Sequence, residues 1–131
     1  MVPEESLLDA ERIMRLARIR HMPIVEGELL VGILSHRDVV EASIPDWSDE
    51  KPRQRERHLR NIAIREVMRE KPWTAYPDTT LREAAERMLR FKIGCLPVVE
   101  RGNDGVHLVG LLTESDLLRA AYAPDFTGAS D

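Results

Sequence analysis

Two heptapeptides in this chain place a hydroxyl and a carboxylate at the same spacing. They are Gly32-Ile33-Leu34-Ser35-His36-Arg37-Asp38 and Gly110-Leu111-Leu112-Thr113-Glu114-Ser115-Asp116. In each, an apolar run ends at Ser35 or Thr113, where a strand would hand over to a helix. A helix N-terminus offers unpaired N–H groups and a partial positive charge, an environment suited to phosphate or ribose. Asp38 and Asp116 then fall one turn in, where a carboxylate can accept two ribose hydroxyls through charge-assisted bonds. The same spacing also describes an N-cap followed by an N3 acid, which any helix accommodates. The two roles are compatible, because a cap fixes the carboxylate that a ligand would use. Gly32 and Gly110 permit close approach of a ligand or a neighbouring strand.

Catalytic chemistry finds less support. His36-Arg37-Asp38 has the residue types of a kinase catalytic loop, but no Asn follows at the needed spacing and no Gly-rich loop exists. No phosphate loop, nucleophile elbow or metal-ligand pair is present. The histidines, at 21, 36, 58 and 107, lack helical ligand spacing. Cys95 precedes an apolar strand and reads as a small buried thiol. No enzyme activity, metal or cofactor is expected.

The elements that would position the two heptapeptides form an internal repeat. Residues 6–26 align without gaps on 80–100, and 31–42 on 109–120, with 12 identities in 33 positions. In the second copy, Leu81, Ala84, Ala85, Met88 and Leu89 recur at helical spacing and line one face. Thr80-Leu81-Arg82-Glu83 is a capping box, and Ser6-Leu7-Leu8-Asp9 is its lesser counterpart. Leu96-Pro97-Val98-Val99 is a short strand, Arg101–Gly105 a turn, Val106–Leu112 a second strand and Glu114–Tyr122 a closing helix. Each copy is thus helix, strand, strand, helix. Ile24, Ile33, Val98, Val109 and Leu111 are expected to form core-facing strand positions. Ahead of its helix, the second copy has a lead-in, Ile64–Met68 and then Trp73–Asp78. The first copy starts at the matching Pro3 and lacks the lead-in helix and most of the first strand.

These features divide the chain into a first repeat at 1–43, a charged connector at 44–61, a second repeat at 62–123 and a tail at 124–131. The connector holds Ile44-Pro45-Asp46-Trp47 and an Arg-rich segment. Residues 50–71 carry a net charge of +4. A solvated polar helix is its expected form. A phosphate-facing, nucleic-acid-binding surface is the alternative.

The repeat and its motifs resemble a tandem pair of cystathionine-beta-synthase (CBS) domains, a Bateman module. The motif of an apolar residue, Pro, two apolar residues and an acid appears as Met22-Pro23-Ile24-Val25-Glu26 and Leu96-Pro97-Val98-Val99-Glu100. The two heptapeptides supply the family's second signature. The resemblance implies an α/β fold of two repeats, each a small sheet flanked by helices, related by a pseudo-twofold axis. It further implies a regulatory module that binds an adenosine-containing ligand (AMP, ADP, ATP or S-adenosylmethionine) in a cleft between the repeats. A homodimer and a regulated enzyme or transporter partner are expected with it.

On that resemblance, Asp116 and Thr113 would hold the ribose, and Arg20 and His21 the phosphates. Thr74, Ala75, Ile93, Leu96 and Pro97 would enclose the adenine. A second, weaker site would involve Asp38, Ser35 and Arg37; it lacks its own lead-in strand and faces Gly94-Cys95. For Arg20 the plainer reading is an exposed helix-end residue, and for His21 a packed or solvated imidazole. A degenerate pair that only dimerises is the alternative for the module as a whole.

Composition agrees with these limits. At 131 residues the chain is far shorter than the ~250 of a (β/α)₈ barrel. A hydrophobic fraction of 43% supports a packed core. A net charge of −4 opposes a chain-wide nucleic-acid or acidic-membrane surface. A single cysteine forms no internal disulfide. No apolar run reaches the length of a membrane span and no signal-peptide pattern opens the sequence, so a cytoplasmic location is expected.

Overall fold

The computed structural model of the chain describes residues 1–43 and 52–122. Ile44–Trp47, the start of the Arg-rich segment and the 124–131 tail lie outside the described residues. The chain splits into two compact units, Met1–Pro72 and Trp73–Asp131. It is a mixed helix-and-sheet protein with two antiparallel hairpins flanked by helices, and in the first unit a short strand, Arg69–Glu70, pairs antiparallel with the second strand of the hairpin at Gly32 and Ile33. No helix among the described residues is long and apolar enough to cross a membrane.

The first unit runs α1 (Leu7–Ala17), β1 (His21–Glu26), β2 (Leu29–Ser35), α2 (His36–Ser43), α3 (Pro52–Arg60), α4 (Ile64–Val67) and β3 (Arg69–Glu70). Ser6 caps α1 by accepting the Asp9 N–H at 3.2 Å. Arg18 ends it in the left-handed region, φ 57°. Leu7, Leu8, Ala10 and Met14 share the buried face of α1 and pack with Met22, Ile24, Leu34 and Val39. Gly27, with φ 62°, makes the turn between β1 and β2.

The second unit runs α5 (Leu81–Phe91), β4 (Cys95–Gly102), β5 (Gly105–Thr113) and α6 (Glu114–Tyr122). The expected capping box forms in full. Thr80 Oγ1 accepts the Glu83 N–H at 3.1 Å, and the Thr80 N–H reaches Glu83 Oε2 at 3.3 Å. Ala75, Ala84, Met88 and Leu96 form its core cluster. Trp73 stacks on Phe91 with ring centroids 3.8 Å apart.

The repeat is exact at the level of backbone register. Both hairpins carry a bulge at the equivalent step, Ile24/Val25 and Val98/Val99. The Val25 N–H bonds to Met1 O at 2.9 Å, as the Val99 N–H bonds to Ala75 O at 2.8 Å. Met1 therefore fills the place of the first-strand residue Ala75.

Four features depart from the sequence pattern. Val109 is the unpaired residue of the β5 bulge and is 51% exposed; Ile33 alternates with the buried Leu34 and, like Val98 and Leu111, is half-buried. Of the expected core-facing set only Ile24 is fully buried; Met22, Leu34, Leu96 and Val99 take those places. On α5, Ala84 and Met88 are buried but Leu81 and Leu89 are not. The lead-in helix α4 packs in the first unit, where Ile64 and Met68 join the core. Its approach is fixed by bonds from the Ile64 N–H to Glu5 O and the Arg65 N–H to Pro3 O.

The connector helix α3 is also docked rather than merely solvated. Leu59 is fully buried, and His58 Nε2 donates to Ala42 O at 2.9 Å. Arg55 grips both carboxylate oxygens of Glu11, a residue 6% exposed on α1. That two-pronged contact satisfies a carboxylate that burial would otherwise leave unpaired.

Candidate functional site

Each heptapeptide ends on a reciprocal cap. In the first unit the Ser35 N–H donates to Asp38 Oδ2 at 2.9 Å, and the Asp38 N–H donates to Ser35 Oγ at 3.1 Å. In the second, the Thr113 N–H donates to Asp116 Oδ2 at 2.8 Å, and the Thr113 hydroxyl donates to the same oxygen at 3.0 Å. The Asp116 N–H returns to Thr113 Oγ1 at 3.4 Å. The strand delivers the hydroxyl and the first helical turn delivers the carboxylate, so the local sequence alone builds the pair.

This geometry leaves one carboxylate oxygen for other work. Asp116 Oδ1 makes no hydrogen bond among the described residues and lies 3.9 Å from Arg119 Nη1. The Asp116 side chain is 41% exposed. A carboxylate held by one oxygen and open at the other is a preorganised acceptor for hydroxyl donors.

The strand register sets the neighbours of each hydroxyl. His21 lies opposite Ser35, and Cys95 lies opposite Thr113. Paired positions place their side chains on one face. The hydroxyl of the first repeat therefore has an imidazole beside it, and that of the second a buried thiol. Burial pushes the Cys95 thiol up to about 12, aided by the charge of Glu114. A thiol at that value carries no nucleophile at neutral pH.

The remaining candidates fall as follows. Arg20 and Arg37 are exposed, and His21 is half-buried. The Arg20 carbonyl accepts the His36 N–H at 2.7 Å, which ties the start of β1 to the start of α2. Thr74 and Ile93 are half-buried, and the Thr74 carbonyl accepts Arg87 Nη1 at 2.7 Å. Ala75 and Leu96 belong to the second unit's core cluster, and Pro97 is also fully buried. The Ala75 N–H bonds to Pro97 O at 2.9 Å. Thr74, Ala75 and Pro97 are thus brought together, as are Thr113 and Asp116. Arg20, His21, Ser35, Asp38 and Arg37 belong to the first unit.

The two glycines differ. A Cβ at Gly32 would stand 2.7 Å from Met68 Sδ and 3.1 Å from Arg69 O, so an added side chain there would crowd Met68 and β3. At Gly110 the nearest atom would be Val98 Cβ at 3.6 Å, an ordinary contact. The close approach foreseen at Gly32 is that of a neighbouring strand.

Glu11 was not singled out by the sequence, and neither was the helix end around it. Arg55 hydrogen bonds hold its carboxyl below the ordinary range, against the upward push of burial; the nearby charges of Arg55, Arg15 and His36 add to the lowering. Its partner lies in the connector, beyond any local pattern.

Comparison with known proteins gives a consistent picture. The CBS domain family model matches residues 2–45 and 64–123. The inosine-5'-monophosphate dehydrogenase of Korarchaeum cryptofilum is 33% identical over 115 residues, covering 88% of this chain and 20% of that protein. Protein MJ1225 of Methanocaldococcus jannaschii superimposes with a TM-score of 0.77 at 30% identity, over 92% of this chain and 42% of that one. The CBS-pair protein CBSX2 of Arabidopsis thaliana, solved in complex with AMP, gives a TM-score of 0.75 at 25% identity, over 95% and 87%. The chain spans only a fifth to two fifths of the first curated relatives it matches.

Proposed function

The chain belongs to the CBS domain family, and we propose that it is a regulatory module binding an adenosine-containing ligand between its two repeats. The observation that carries this reading is the Thr113–Asp116 cap, which holds a carboxylate at a strand-to-helix switch with Oδ1 open. That CBSX2 was solved with AMP supports the ligand class.

In this reading Asp116 and Thr113 take the ribose hydroxyls. Arg20 and His21 take phosphate, and Thr74, Ala75, Ile93, Leu96 and Pro97 form the adenine environment. Asp38, Ser35 and Arg37 form a second, weaker site. AMP, ADP, ATP and S-adenosylmethionine are the candidate ligands. The module regulates rather than catalyses, acting on an attached or partner enzyme or transporter. The match to only a fifth of a dehydrogenase is consistent with that.

Leu16 and Leu89, 84% and 80% exposed on α1 and α5, support assembly as a homodimer. A buried, unpaired Cys95 suits a reducing cytoplasmic setting.

A thermal-shift panel of AMP, ADP, ATP, S-adenosylmethionine and NADH tests the reading. A specific ligand at 100 times its Kd should add about 2.7 kcal/mol. A panel without any shift would favour a module that only dimerises.

A further inference from the structure

The segment 62–70 is seated in the first unit by three kinds of contact. Its backbone is tied to the chain ahead of and at the start of α1. The Leu7 N–H bonds to Ile62 O at 2.9 Å, the Ile64 N–H to Glu5 O at 2.8 Å and the Arg65 N–H to Pro3 O at 2.9 Å. Its apolar side chains, Ile64 and Met68, complete the cluster that holds Leu7 and Leu34, with Met68 Sδ lying where a Cβ on Gly32 would stand too close. Its charge is met by two carboxylates: Arg65 Nη2 donates to Glu4 Oε1 at 2.7 Å and to Glu26 Oε1 at 2.6 Å.

The second unit repeats the receiving surface without an occupant of this kind among the described residues. Asp78 and Glu100 are the counterparts of Glu4 and Glu26. Both are exposed, and neither carboxylate has a hydrogen bond or ion pair among the described residues. The carbonyls of Pro77 and Thr79, counterparts of Pro3 and Glu5, accept no backbone bond there either. Around a Cβ at Gly110, the counterpart of Gly32, only Val98 lies within 4 Å. The apolar counterparts are open to match. Leu81 is 49% exposed where Leu7 is fully buried, and Leu112 is half-buried where Leu34 is fully buried.

Two carboxylates without a cation, beside uncovered apolar side chains, are complementary to a basic amphipathic segment. We propose that this face of the second unit is a docking site for a short segment of a partner polypeptide with the chemistry of 62–68: apolar residues at its first, third and seventh positions and an arginine at its fourth. Arginine suits the fourth position because its planar fork can bond two carboxylates at once. An unbranched, flexible side chain such as methionine suits the seventh, against the bare Gly110. The occupant is another polypeptide rather than a second copy of this chain, because the chain's own segment is engaged: Ile64 is fully buried and Met68 is 8% exposed. Asp78, Glu100 and Gly110 have no part in the adenosine site proposed above, so either reading can fail without the other.

The test is an NMR titration of the intact, isotope-labelled chain with an acetylated peptide of the sequence of residues 61–71, at low ionic strength and up to about 1 mM peptide. Backbone resonances of residues 77–81 and of β5 should shift, saturate at one site and respond less as salt is added. In the free protein, Gly110→Ala meets only an ordinary contact with Val98. It should nevertheless weaken peptide binding at least about fivefold, because its methyl group stands where the peptide's methionine would lie. Asp78→Asn combined with Glu100→Gln should weaken binding about two- to tenfold, and so should a peptide carrying Arg65→Gln. No shifts in the wild type at that concentration, shifts confined to the first unit, or wild-type affinity in both Gly110→Ala and the carboxylate variant overturns the proposal.

Discussion

The Thr113 backbone N–H and hydroxyl both converge on a single oxygen of Asp116, at 2.8 and 3.0 Å. The same carboxylate thereby caps α6 and is aimed with its other oxygen outward. Ser35 and Asp38 repeat the backbone half of this arrangement at 2.9 Å. Stability and ligand chemistry are therefore coupled at these two positions, and a useful test has to separate them.

Gly32 and Gly110 occupy matching strand positions, but only Gly32 lies under β3. Gly32→Ala should destabilise the protein by about 1–3 kcal/mol, because Met68 and the Arg69 carbonyl must move. Gly110→Ala should stay within about 0.5 kcal/mol. Urea denaturation of the two variants checks this; equal midpoints would contradict the packing of β3 on β2.

The Glu11–Arg55 pair should make stability fall in acid. Arg55 lowers the folded-state pKa of Glu11, so its contribution is fully present above the ordinary glutamate value, about 4.3, and is lost as pH drops through the folded value. Arg55→Ala should cost about 1–3 kcal/mol at neutral pH, between the effects of a surface pair and a buried one. It should also flatten the acid limb of the stability curve. Denaturation midpoints measured from neutral to acid pH decide it.

Cys95, with its thiol pushed up to about 12, should resist a disulfide reagent at neutral pH in the native protein and react fully once unfolded. Rapid labelling of the native state would show that the thiol is more accessible than its 5% exposure indicates.

Leu16 and Leu89 should mediate self-association. The wild type is expected to be a dimer by light scattering. Leu16→Glu combined with Leu89→Glu should shift it to monomer with an unchanged circular dichroism spectrum. A wild type that stays monomeric at every workable concentration removes the homodimer from the account.

What could be read from the sequence was what lies within a turn or a strand. The Thr80–Glu83 and Thr113–Asp116 pairs span three residues, so spacing alone exposes them. The α1 and α5 stripes follow helical periodicity, although Leu81 and Leu89 show that an apolar stripe need not be wholly covered. The remainder is tertiary. Glu11 meets a partner 44 positions away. Met68 lies beneath Gly32 because α4 and β3 turn back on the first unit. Val109 is exposed as the unpaired residue of a bulge, which the apolar pattern of the strand does not reveal.

The central claim, that Asp116 is the principal ribose acceptor, is tested most directly by calorimetric titration of AMP and ATP into the wild type, Asp116→Asn and Asp38→Asn. Asparagine keeps the size and can still cap the helix, so lost affinity reports the charged acceptor. Asp116→Asn should weaken binding roughly ten- to hundredfold, the worth of about 1.5–3 kcal/mol of hydrogen bonds to a charged group. Asp38→Asn should weaken it less. Abolition of binding in Asp38→Asn with full affinity in Asp116→Asn would contradict the account.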